Sequence, residues 1–255
     1  MVFLIGFLAG ALGGLMGIGG GIVMIPLMVA FRKVTQHKAH GTSLAAMVFV
    51  GMVGAATYAL QGSVDIMASV ILAAAAITTA HIGARHASSL PEWKLKRSFG
   101  AFLVVVSCLL FVKPFLPRVV YFAAGWSKVL VLLTAGALTG FLSGMMGVGG
   151  AVVMIPAMVL LVGLDQHTAQ GSSLLTMVPA GIVGALTHMR YGNVEISLLK
   201  GLVPGVFIGT YLGGSVAHFL PDSMLRLLFG SMLGWTAFRY LRTPAPEKIS
   251  HEGIS

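Results

Sequence analysis

Charge is what this chain has least of: 9% of its 255 residues are Asp, Glu, Lys or Arg, against about 25% in soluble proteins. Only seven are acidic, Asp65, Glu92, Asp165, Glu195, Asp222, Glu247 and Glu252, and all fall in loops or at the ends of predicted helices. No carboxylate is left in the middle of a hydrophobic run for an intramembrane aspartyl protease, a metal cluster or a Na⁺ cage, so neither a metal nor a cofactor is expected. Cysteine is scarcer still. Cys108 stands alone in an apolar run, which excludes a disulfide framework and a cysteine metal cluster. No HExxH-type motif or buried acid/base pair is present, which argues against an enzyme. The 16 Lys and Arg residues form no stripe interleaved with aromatics, so nucleic acid is not an expected partner; the excess fits loops held on the cytoplasmic side of a bilayer.

What is abundant is apolar surface, 57% of the residues, and the fold class expected is an all-α polytopic membrane protein with the lipid bilayer as solvent. The N-terminal run Met1–Gly10 resembles a secretory apolar region but lacks a basic flank and has a counterpart near Gly136–Gly144, so it reads as mature structure. That counterpart belongs to a duplication. A shift of 130 residues places Gly6, Gly10 and Gly14 on Gly136, Gly140 and Gly144, and 35 of the 87 positions from Gly14 to Gly100 are identical to their partners. One structural unit is used twice. The organisation expected is a first repeat over 1–112, a joint over 113–127, a second repeat over 128–242 and a cytoplasmic tail over 243–255.

Each unit opens with a glycine-broken segment, Gly14-Leu-Met-Gly17-Ile-Gly19-Gly20-Gly21 and Gly144-Met-Met-Gly147-Val-Gly149-Gly150. Three ordinary spans follow, near 42–61, 66–88 and 95–112, repeated near 172–190, 196–218 and 223–241. If the broken segments crossed the membrane, the units would be parallel and Lys plus Arg would divide 8 to 8 between its sides. If each dips in and returns, the units have three crossings and inverted topology, and the division becomes 12 inside to 4 outside. The positive-inside rule selects the inverted arrangement, with both termini cytoplasmic. Its misfit is the group Lys113, Arg118 and Lys128 outside, for which attraction of anions to an outer mouth is the reading at hand.

Glycine runs leave backbone groups that hydrocarbon cannot satisfy, so the breaks must be buried in protein or line a polar cavity. Interrupted segments at corresponding positions of inverted halves point to a transporter's substrate site. N–H groups from Gly17, Gly19 and Gly20 would face those from Gly147, Gly149 and Gly150 across a small oxyanion, with no buried cation needed. The hydroxyl pairs Thr42-Ser43 and Ser172-Ser173 read either as caps of the following helices or as donors to the anion. His81 and His188, inside predicted spans, read either as packed histidines or as titrating groups in proton-coupled transport. The spacing of Gly6, Gly10 and Gly14 reads as a smooth face for a neighbouring helix.

On these residues, Gly17-Ile-Gly-Gly-Gly21 with Ile25-Pro26, then Gly41-Thr-Ser-Leu44, and the second copy of both, the chain resembles the sulfite exporter TauE/SafE family of membrane permeases. The resemblance implies export of sulfite or a small organosulfonate across the bacterial cytoplasmic membrane. Other sulfur-containing or carboxylate anions stay open as substrates, as do a passive anion channel of the same architecture and a homodimer. Ala151 and Ser172 depart slightly from the first copy's Gly21 and Thr42.

Overall fold

A computed structural model of the chain describes residues 1–86, 92–113, 125–146 and 150–243. Gly147 and Gly149, most of the expected joint and nearly all of the expected tail lie outside them, and the side chain of His81 is likewise not among the described groups. The described secondary structure is helical throughout: α1 (Val2–Met16), α2 (Gly21–Arg32), α3 (Gln36–Leu60), α4 (Ile66–His86), α5 (Glu92–Val112), α6 (Trp126–Met146), α7 (Ala151–Pro156) continuing as a π-helical turn (Ala157–Val162), α8 (Gln166–Arg190), α9 (Ile196–Phe219) and α10 (Asp222–Leu241). Four of these, α3, α6 over Trp126–Gly144, α8 and α9, are long and apolar enough to cross a membrane.

One expectation needs correcting. The spans expected to start at the hydroxyl pairs start earlier, at Gln36 and Gln166. Their caps are Thr35, whose side chain accepts from Lys38 N–H, and Asp165, whose carboxylate accepts from Thr168 N–H. Thr42, Ser43, Ser172 and Ser173 therefore sit inside helices, more than a turn past the real N-caps.

Neither helix of the first broken segment is long enough to span by itself. α1 has 15 residues and α2 has 12, about 22 and 18 Å at 1.5 Å per residue, against about 30 Å of hydrocarbon. The chain also turns back on itself: a Cβ on Gly20 would lie 2.4 Å from the Ala9 carbonyl oxygen, well down α1 from its end at Met16. α1 runs parallel to α9, with Gly6 against Leu202, Gly10 against Val206 and Gly14 against Thr210. α3 is also parallel to α9, with Thr42 beside Glu195 and Tyr58 beside His218. Both ends of the α1–α2 pair accordingly lie at the end of α9 where that helix begins.

Packing between the units follows the 130-residue relation. α1 lies on α9 and α6 on α4; α3 lies on α8 and α5 on α10. Gly136 meets the Leu72 carbonyl as Gly6 meets that of Leu202, and Gly140 meets Ala76 as Gly10 meets Val206. The helices that pair with their own counterparts run antiparallel: Gly51 lies on Leu174 and Gly181 on Val48, while Gly100 lies on Ala237 and Ser107 Oγ donates to the Gly230 carbonyl.

The corresponding carboxylates Asp65 and Glu195 open α4 and α9 in the same way. Each backbone N–H donates to a hydroxyl of the other unit, Asp65 to Ser172 Oγ at 2.8 Å and Glu195 to Thr42 Oγ1 at 2.9 Å. Each carboxylate takes one lysine, Lys128 at 3.0 Å and Lys38 at 2.9 Å. Lys128 is thus an ion-pair partner, and Lys113 Nζ donates to the Val159 carbonyl at the π-helical turn, which gives structural work to both of these cations that the inverted arrangement leaves as misfits. Arg118 lies outside the described residues.

Partial burial opposes the charge on Asp65, but the Ala68 N–H and Lys128 outweigh it and hold the carboxyl below its ordinary range; the hydrogen bond from Lys38 does the same for Glu195. Depressed folded-state values add stability above about pH 4 that is lost as pH falls through them. Asp65→Ala should therefore lower stability at pH 7 by about 0.5–2 kcal/mol, the scale of a lost helix cap, and the gap from wild type should narrow below about pH 4. Melting temperature of the detergent-solubilised protein against pH measures both.

Candidate functional site

The first break is made by three residues in the left-handed region, Gly17 (φ 71°), Gly19 (φ 74°) and Gly20 (φ 74°), a conformation open to glycine and costly for other residues. The N–H groups of Gly17 and Ile18 both donate back to the Gly13 carbonyl. Those of Gly19, Gly20, Gly21 and Ile22 find no acceptor among the described residues. Gly19, Gly20 and Gly21 are buried and Ile22 is half-buried, and buried N–H groups without partners are rare enough to ask for a ligand or a water. Ser173, fully buried, donates to the Gly17 carbonyl at 2.7 Å and so ties the turn to α8.

Gly19 faces Met47 and Met177, which occupy the same position in the two repeats; a Cβ on Gly19 would lie 2.7 Å from Met47 Cε and 2.8 Å from Met177 Sδ. The same two methionines line a cavity of about 50 Å³ that extends from them between α3, α4, α6 and α8. About 10–15 Å³ of such volume holds one water, so this space suits a solute of only a few heavy atoms. Gly144 and Gly150, on either side of the second break, line it, together with the hydroxyl residues Thr139, Ser143, Thr176 and Thr187 and the ring of His188. Among the described residues, no Lys, Arg, Asp or Glu lines the cavity.

The sequence-selected residues are placed unequally. Gly17, Gly19 and Gly20 form the first turn, and Gly150 opens α7 beside Thr139, whose hydroxyl donates to the Gly150 carbonyl at 3.3 Å. The four hydroxyl residues are buried but do not line the cavity: Thr42 and Ser172 accept from the starts of α9 and α4, Ser43 donates to the His40 carbonyl, and Ser173 holds Gly17. His188 does line it, and its Nδ1 is buried without a partner among the described residues.

Sequence reasoning missed Met47 and Met177, although each recurs at the equivalent position of the other repeat. It also missed Tyr58 and Gln170, both fully buried, whose hydroxyl and side-chain amide lie 2.9 Å apart beside the first turn. Asp165, His167 and Asp222 offer ligand atoms within 4.8 Å of one another, but they are already engaged: Asp165 caps α8, and Asp222 pairs with Arg226.

A family model described as sulfite exporter TauE/SafE matches residues 2–240. A probable membrane transporter protein of Bacillus subtilis, YunE, is 27% identical over 238 residues, covering 85% of this chain and 87% of its own. A probable membrane transporter protein of Methanocaldococcus jannaschii is 24% identical over 251 residues, 92% of each chain. A TauE/SafE family protein of Arabidopsis thaliana, called a sulfite exporter, shares 25% over 108 residues, 42% of this chain and 24% of its own. No solved structure matches the chain significantly. With a glycine-broken helical repeat used twice, four membrane-length apolar helices and a family match over almost its whole length, the chain belongs to the sulfite exporter TauE/SafE family of membrane transporters.

Proposed function

We propose that this protein is a secondary transporter exporting a small sulfur-containing anion, sulfite or an organosulfonate, across the bacterial cytoplasmic membrane. The anion is held between the glycine breaks of two inverted repeats. The observation that carries the reading is the row of N–H groups from Gly19 to Ile22, three of them on buried residues and all without an acceptor among the described residues, meeting the Met47–Met177 pair at the edge of a cavity bordered by Gly144 and Gly150. Such a site attracts an anion through backbone dipoles and meets its sulfur with polarisable thioethers, without a side-chain cation. Gly150 borders it from the second half, and the buried Ser173 holds the first turn through the Gly17 carbonyl.

The inverted topology is supported by the antiparallel course of α3 and α8. A two-fold axis along the membrane normal would leave equivalent spans parallel, and only an axis in the membrane plane reverses them. In that frame both termini are cytoplasmic, and the cavity faces the cytoplasm through the end of α8 at His188. His188, at that end, is the group we propose to titrate during the cycle.

Two measurements test the reading. Cysteines introduced at Thr35 and Asp165 in a Cys108→Ser background should react with an impermeant maleimide from opposite sides of the membrane; labelling of both from one side removes the inverted arrangement. Proteoliposomes loaded with sulfite should show saturable flux and counterflow. Flux that neither saturates nor supports counterflow identifies a passive channel of the same architecture.

A further inference from the structure

The two halves share a plan but not a state. Residues of the cavity wall have counterparts 130 positions away around the first break, and several of these are more deeply buried. Ala180, Gly184, Thr187 and His188 of the cavity are half-buried, whereas Val50, Gly54, Thr57 and Tyr58 are buried. The difference centres on one contact. Tyr58 is fully buried, with its hydroxyl 3.0 Å from the Gly14 carbonyl of α1 and 2.9 Å from the side-chain amide of Gln170 on α8. A phenol has one proton, so it makes both bonds only when the amide turns its NH₂ towards it; in either orientation one atom of the Gln170 amide has no partner. Tyr58 thereby joins α3, α1 and α8 over the first turn.

The counterparts of Tyr58 and Gly14 are His188 and Gly144. Both line the cavity, and His188 Nδ1 is buried with no partner among the described residues. The bond that closes the first half is unmade in the second. We infer that Tyr58 and His188 are alternating latches: Tyr58 on Gly14 shuts the outer approach to the anion site, the cavity beside His188 is the open inner approach, and transport exchanges the two by making the His188–Gly144 bond as the Tyr58–Gly14 bond breaks. The inference rests on the inverted-repeat reading above. It adds which residues gate that site and which gate is closed here.

The test uses the full-length chain with Cys108→Ser and a single reporter cysteine, either Thr187→Cys on the cavity wall or Thr57→Cys at the equivalent closed position. With Tyr58 intact, an impermeant maleimide should label the Thr187→Cys protein from the cytoplasmic side and the Thr57→Cys protein from neither. Tyr58→Phe removes one hydroxyl and keeps the ring. It should open the outer approach, so that Thr57→Cys is labelled from outside while labelling of Thr187→Cys falls by about two- to tenfold, the population shift that one net hydrogen bond governs. His188→Tyr gives the open half the other half's latch and should slow cytoplasmic labelling of Thr187→Cys; it serves also if Tyr58→Phe does not fold.

Unchanged labelling of both reporters in a folded Tyr58→Phe or His188→Tyr protein overturns the latches and leaves the asymmetry to fixed differences in side-chain size, such as Val206 against Ala76. The Thr35 and Asp165 labels keep the two readings apart. If they report opposite sides while the reporters stay unchanged, the gates alone are refuted; if they report one side, the inverted repeats are refuted as well.

Discussion

Gly140→Ala is expected to remove most of the folded protein. Its Cβ would lie 2.1 Å from the Ala76 carbonyl oxygen and 2.4 Å from Thr79 Oγ1, inside the packed face of α4 and α6. The nearest atom is backbone, so relief requires the two helices to part, and overpacking of this kind costs about 1–3 kcal/mol or more. Separation also strains a bond between the same helices, since Thr79 Oγ1 donates to the Ala137 carbonyl at 2.7 Å. In hydrocarbon no water replaces what is lost. The readouts are the monodisperse fraction on size exclusion and the melting temperature in detergent. Gly184→Ala is the control: the nearest atom to its Cβ is Leu44 Cδ1 at 3.5 Å, an ordinary contact, and its stability should stay at the wild-type level. Equal yields from the two variants would show that close approach of α4 and α6 does not limit folding.

Gly19→Ala is expected to do the reverse, sparing the fold and damaging the site. At φ 74° an alanine pays about 1–2 kcal/mol for the left-handed conformation. The atoms its Cβ meets, Met47 Cε and Met177 Sδ, are the ends of flexible side chains that can swing aside. What cannot be kept is the present aim of the N–H groups that follow and the methionine pair at the edge of the cavity. Sulfite affinity, read by ligand-dependent thermal shift at fixed pH, should fall about tenfold or more, equivalent to at least about 1.4 kcal/mol. Normal affinity in well-folded Gly19→Ala protein would move the anion away from the turn, towards the hydroxyls near Thr42 and Ser172.

The repeat and the break were legible because each is written in residue identity. Glycines 130 positions apart mark both copies of the break in the sequence, the first of which is a turn in the structure, and the charge split led to the expectation that the first segment returns on the side it entered. Helix starts were harder to read. Gly41-Thr42-Ser43 looks like a cap, yet the helix is already running there because Thr35 caps it upstream; the hydroxyl of Thr42 is spent on the start of α9, 153 residues away. That contact is non-local and leaves no local pattern. Tyr58 shows the same limit. It replaces the histidine of the other copy, a difference that reads as neutral drift until Gly14 and Gln170 are seen beside it.

The exchange of partners between halves, α1 on α9 and α6 on α4, bears on how the protein is made. Gly6 and Gly10 leave the ribosome 196 residues before Leu202 and Val206, the residues of α9 that cover them, an interval of roughly 10–40 s at ordinary rates of synthesis. Throughout that time the smooth glycine face of α1 stands in the membrane without α9 to cover it. Insertion must therefore shelter it until the last third of the chain arrives, and two halves produced as separate polypeptides should be recovered only when they are synthesised together.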